Sequence, residues 1–120
     1  MTNETTDAQL NRPVTQLAAA IDVFREVTST MSLAQLKAFL VVATNEGKSL
    51  GELTLIAGGK TSTMSRYLLD FSDKVKNGGD GYGLISRTSD PAELRRNVYS
   101  LTPRGRAMMD KVLKILGTGK

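Results

Sequence analysis

Gly58 and Gly59 stand between two stretches that each carry apolar residues at helical spacing, and this arrangement narrows the choice of fold more than any other feature of the chain. Before the glycines, Ser49-Leu50-Gly51-Glu52 has the form of a capping box, which predicts a short helix with Leu53 and Ile56 inward. After them, Met64, Leu68, Phe71 and Val75 recur at three- and four-residue steps, predicting a helix over 61–75 with one buried stripe. A short helix, a glycine turn and a second helix make the order of a helix-turn-helix, in which the first helix braces the second.

The residues off that stripe are small, hydroxylated and cationic. Lys60, Thr61, Ser62, Thr63, Ser65 and Arg66 occupy the first two turns. Such side chains allow close approach to phosphates and base edges, helped by the free N–H groups and positive end of the helix. The alternative from this stretch alone is a solvated Ser/Thr face. Charge distribution bears on the choice. Before Lys60, four basic residues stand against six acidic ones; from Lys60 onward, twelve stand against six, so the formal charge of +4 is concentrated where the candidate recognition helix lies. That asymmetry suits a polyanionic partner, nucleic acid or membrane surface. The sequence has neither Cys nor His, which removes disulfides, thiol chemistry, His general bases and ordinary zinc sites. The expectations are a non-enzyme without metal or cofactor, and a cytoplasmic location, since no apolar run approaches the length of a membrane span.

With 120 residues, one domain is expected over 12–120, preceded by a disordered tail over 1–11. Pro13 is placed as a first helical residue, followed by Val14, Leu17, Ala18, Ile21, Phe24 and Val27 on one stripe of a helix over 13–29. Ser32 with Gln35 predicts a capped helix carrying Leu33, Leu36, Phe39, Leu40 and Ala43 up to Gly47. Residues 73–82 are too glycine-rich for regular structure. Leu84–Thr88 and Asn97–Leu101 read as strands about a turn at Ser89-Asp90-Pro91, and Thr102-Pro103 opens a last helix over 103–116. The fold class is mainly α with a small β-hairpin, a winged helix-turn-helix in the order α1-α2-α3-α4-β-wing-β-α5.

Five stretches carry a family resemblance. Ser49-Leu50-Gly51-Glu52-Leu53, Thr63-Met64-Ser65-Arg66, Gly83-Leu84-Ile85-Ser86-Arg87, Asp90-Pro91 and Leu101-Thr102-Pro103-Arg104-Gly105 follow in the order found in MarR-type winged-helix transcription regulators, which the chain resembles from about Met31 to Gly105. The resemblance implies sequence-specific binding of double-stranded DNA by a homodimer, most simply as a repressor, with helix 61–75 in the major groove and the wing 88–96 in the minor groove. It aligns Glu93-Leu94-Arg95 with the family's Asp-x-Arg unit, making Arg95 the minor-groove residue and Glu93, with Asp90, the brace of the wing. It also implies dimerisation through helices 13–29 and 103–116. Members often bind small phenolic effectors, but no residue of this sequence matches such a site. The chain departs from the family in the extra residues of 73–82 and in lacking a further dimerisation helix after 116.

On these elements Lys60, Arg66, Arg87, Arg95, Arg96 and Arg104 would meet phosphates, and six such contacts give a salt slope of about −5 in log affinity against log salt. For Arg87 and Arg96 ordinary outward strand charge is the alternative, and Lys111 and Lys114 are accounted for by the helix dipole. Gly59-Lys60-Thr61 ends like a phosphate-binding loop, but Thr54 stands where that motif needs glycine. The glycines of 78–83 lack dinucleotide spacing. The reading from another class is a winged-helix module that grips a protein partner instead of DNA.

Overall fold

Ser32 and Ser49 both cap helices as their spacing predicts. Ser32 Oγ accepts the N–H of Gln35 at 3.0 Å while Gln35 Oε1 accepts the N–H of Ser32 at 2.8 Å. Ser49 and Glu52 repeat the exchange at 3.3 and 2.9 Å. The computed structural model describes residues 4–72 and 81–117, with 4–11 as backbone alone. Among them the order is α1 (Glu4–Arg25), α2 (Leu33–Thr44), β1 (Lys48–Ser49), α3 (Leu50–Ala57), α4 (Thr61–Phe71), β2 (Ile85–Asp90), β3 (Glu93–Leu101) and α5 (Pro103–Ile115). No described helix is long and apolar enough to cross a membrane.

The chain divides into two compact units, residues 32–106 and residues 1–31 with 107–120. In the first, Ala38, Phe39, Val41 and Val42 of α2 are buried together with Leu53 of α3, Met64, Leu68 and Phe71 of α4, and Leu84, Ile85, Tyr99 and Leu101 of the hairpin region. Phe71 is the centre of this interior: its ring lies 5.4 Å from that of Phe39 and 5.5 Å, edge-on, from that of Tyr82. The three strands form an antiparallel sheet in the order β1-β3-β2, with Lys48 opposite Tyr99, and Arg87 also opposite Tyr99 from the other side. Gly47 adopts φ +84°, a value that favours glycine, where the chain leaves α2 for β1, and its N–H donates to the carbonyl of Tyr99.

In the second unit, Ala20, Val23 and Phe24 of α1 and Met108 and Val112 of α5 are buried. Lys111 of α5 pairs with Glu26 at 3.2 Å.

Several expectations are corrected. Helix α1 starts at Glu4, not at Pro13, and includes most of the stretch predicted as a tail. Glu, Gln, Ala and Leu before Pro13 are good helix formers with no glycine among them, and one proline removes a single backbone bond. Leu33 and Ile56 face outward, 81% and 50% exposed, and Leu40 lies at the surface edge. The buried side of α2 is rotated toward Ala38, Val41 and Val42, because α3, α4 and β3 all pack on α2 and set which side is covered. The hairpin strands are longer than predicted and turn at Pro91-Ala92, and β1 is an additional strand. Helix α4 ends at Phe71; Val75 and the segment 73–80 lie outside the described residues.

The flanks of that segment are joined to each other. The N–H groups of Tyr82, Gly83 and Leu84 donate to the carbonyls of Asp70, Ser72 and Phe71 at 3.0, 3.0 and 2.8 Å. These bonds satisfy carbonyls that the end of a helix leaves open, and they tie the entry to β2 to the end of α4.

Candidate nucleic-acid interface

Helix α4 is held by its apolar stripe and leaves its opposite side free. Met64, Leu68 and Phe71 are buried, whereas Thr61, Ser62, Ser65 and Arg66 are exposed and Thr63 is half-buried. The N-cap is Lys60, exposed and extended, and no side chain caps the helix. Serine caps both preceding helices, whereas the first turn of α4 receives no side-chain cap, which leaves its N–H groups open to an anion. Arg66 lies with its guanidinium 5.8 Å from the ring of Tyr67.

The hairpin stands beside this helix. A cleft of about 540 Å³ is lined by Ser65, Leu68, Leu69 and Ser72 of the α4 side and by Ile85, Ser86, Arg87 and Tyr99 of the sheet. Ser65 and Arg87 therefore share one surface. Lys60 and Thr63 border a second hollow of about 400 Å³ at the turn between α3 and α4. There Lys37 of α2 donates from Nζ to the carbonyl of Ala57 at 2.9 Å and so closes the C-terminus of α3.

The arginines of β3 have different surroundings. Arg95 is exposed and, among the described residues, carries no ion pair. Arg96 is half-buried: Nη1 donates to Asp90 Oδ2 at 3.1 Å, and Nη2 donates to Glu52 Oε1 of α3 in a second ion pair. Asp90 also accepts the N–H of Ala92 at 2.9 Å, which fixes the turn of the wing. Glu93 is exposed and stands opposite Asp90 in the register. Among the described residues of the wing, the arginine braced by carboxylates is thus Arg96, held by Asp90 and Glu52. The Glu52 carboxyl is lowered from its ordinary value of 4.5, chiefly by the N–H of Ser49, against a desolvation that raises it, with Arg96 adding to the lowering.

Neither a protein-family model nor a curated protein matches the sequence. Solved structures do match its fold. RV1404 from Mycobacterium tuberculosis superposes with a TM-score of 0.63 at 20% identity, over 98% of this chain and 77% of that one. CouR, a transcriptional repressor solved on a 23-mer DNA duplex, gives 0.60 at 24% identity over 95% and 70%. Wild-type MarR from E. coli, solved without ligand, gives 0.59 at 15% identity over 98% and 78%. The fold is that of the MarR-type winged-helix regulators.

Within this MarR-type frame the Leu101-Thr-Pro-Arg-Gly105 stretch has a structural explanation. Thr102 Oγ1 donates to the carbonyl of Gly83 at 2.7 Å and accepts the N–H of Gly105 at 3.0 Å, capping α5 while anchoring it to the start of the wing. Glu46, in the loop after α2, accepts both the N–H of Leu101 and a guanidinium N–H of Arg106 at 2.9 Å. Sequence reading missed Glu46, Lys37 and the second role of Glu52. Glu52 carried a local signal as the third residue of its helix, but nothing at short range points to a partner in β3.

Proposed function

We propose that this protein is a transcription regulator that binds double-stranded DNA sequence-specifically, with α4 in the major groove and the wing in the minor groove. The observation that carries the reading is the exposed Thr61, Ser62, Ser65 and Arg66 face of α4, led by an uncapped helix N-terminus and sharing a surface with Arg87 of the hairpin. Hydroxyls and N–H groups meet phosphates and base edges at close range, and Arg66 offers the two-pronged donor that matches guanine. Arg95, exposed and unpaired among the described residues, enters the minor groove, where narrow A·T tracts concentrate negative potential. CouR, of similar fold, is a repressor bound to a DNA duplex, and repression by covering a promoter is the role proposed here.

The working form is a homodimer. Val14 and Leu17 of α1 are 55% and 57% exposed, and Leu113 of α5 and Leu116 just beyond it, in the same unit, are also exposed. A two-fold dimer that reads a pseudo-palindromic site needs its two α4 helices about 34 Å apart, one helical turn of DNA. Selection from random duplexes followed by gel-shift with wild type, Arg66→Ala and Arg95→Ala tests the reading. Enrichment of a two-fold-related sequence that both variants bind more weakly is the result expected. Equal binding by all three at every salt concentration would dismiss it.

A further inference from the structure

The three-residue bridge at Arg96 joins parts of the chain that otherwise have separate duties. Glu52 belongs to the first turn of α3, where its carboxylate also accepts the N–H of Ser49. Asp90 ends β2 and also holds the N–H of Ala92 in the wing turn. Arg96 of β3 donates one nitrogen to each. Each carboxylate is thus pinned to its own backbone before the guanidinium connects them, so the bridge transmits the position of α3 to the tip of the wing. With two carboxylates on one guanidinium the bridge is net negative, which gives a phosphate no reason to approach it.

We propose that Arg96 is a positioning residue: through Glu52 and Asp90 it locks the wing tip to the helix-turn-helix and so fixes where Arg95 meets DNA. This rests on the DNA-binding reading above and deepens it, since it makes the spacing between major- and minor-groove contacts a property of an ion-paired strut. Arg95 then enters its groove without first ordering the hairpin, which lowers the cost of binding. The alternative for Arg96 is a phosphate contact of its own.

Glu52→Gln separates the two, because it leaves the capping box intact while removing the charge that holds Arg96. If Arg96 contacted phosphate, deleting a nearby negative charge and releasing the guanidinium would tighten binding. A positioning role predicts the opposite sign: Glu52→Gln, compared with wild type at a temperature where both are folded, binds the selected duplex about tenfold more weakly. Arg96→Ala weakens it similarly in the wild-type background but by no more than about twofold in an Arg95→Ala background, because misplacing Arg95 and deleting it cost the same interaction. Arg96→Lys, with a point charge in place of the fork, recovers only part of the affinity. Tighter or equal binding by Glu52→Gln, or additive effects of Arg95→Ala and Arg96→Ala, would overturn the proposal while leaving DNA recognition standing. Absence of any duplex binding by wild type would overturn both.

Discussion

Gly105 lies against the carbonyl of Leu84 so closely that a β-carbon on it would stand 2.3 Å from that oxygen. The oxygen is also the acceptor for the N–H of Thr102, so it cannot retreat without breaking the bond that seats the start of α5 on the wing. Gly105→Ala is therefore expected to destabilise by about 1–3 kcal/mol, although alanine is the better helix former. Chemical denaturation of the two proteins checks it, and an unchanged or raised midpoint would count against this packing.

Glu52 predicts a pH dependence with a definite sign. Its folded-state carboxyl titrates below the ordinary 4.5, so the stabilisation it supplies is fully present above that value and is lost as pH falls through the lower folded value. Following its side-chain carbon by NMR should show the low midpoint. In Arg96→Ala the midpoint should rise yet stay below 4.5, because the N–H of Ser49 is the larger cause and remains. A return to 4.5 on loss of Arg96 alone would reverse that ranking.

Salt dependence distinguishes free from engaged arginines. With Lys60, Arg66, Arg87, Arg95 and Arg104 exposed and Arg96 tied to two carboxylates, five phosphate contacts give a slope of about −4.5. Arg96→Ala should lower its magnitude by no more than the single phosphate that a misplaced Arg95 fails to neutralise. Titrations of a selected duplex by fluorescence anisotropy across a salt series read the slope directly.

The apolar face of α1 gives a prediction about assembly. Leu17→Glu puts a charge into the surface proposed to be covered by a second copy, and light scattering should find wild type at twice the chain mass and the variant at one. Wild type at one chain mass would rule out the dimer.

Local chemistry was legible in the sequence and long-range partnership was not. The capping boxes at Ser32 and Ser49, the break at Gly58-Gly59 and the Met64-Leu68-Phe71 stripe all act within a turn or two of helix, and all appear where their spacing puts them. Leu33 and Ile56 misled because a helical period defines a stripe but not which stripe the neighbouring elements cover. The two residues of β1 are too few to show alternation and exist as a strand only through Tyr99 and Val98 of β3. Arg96 reads in the sequence as a phosphate contact or an outward strand charge, yet its partner Glu52 lies 44 residues away in sequence, a pairing that folding alone brings together.

Base readout by the exposed side of α4 is what distinguishes the proposed regulator from a protein that only grips phosphates. Its most direct test is the ratio of affinities for the selected duplex and a scrambled one, measured for wild type and Arg66→Ala at one salt concentration. The variant's ratio is expected to fall by about tenfold to a hundredfold, with discrimination relaxed at one base pair per half-site. An unchanged ratio, with both duplexes bound equally more weakly, would show Arg66 holding only phosphate and would contradict readout by this helix face.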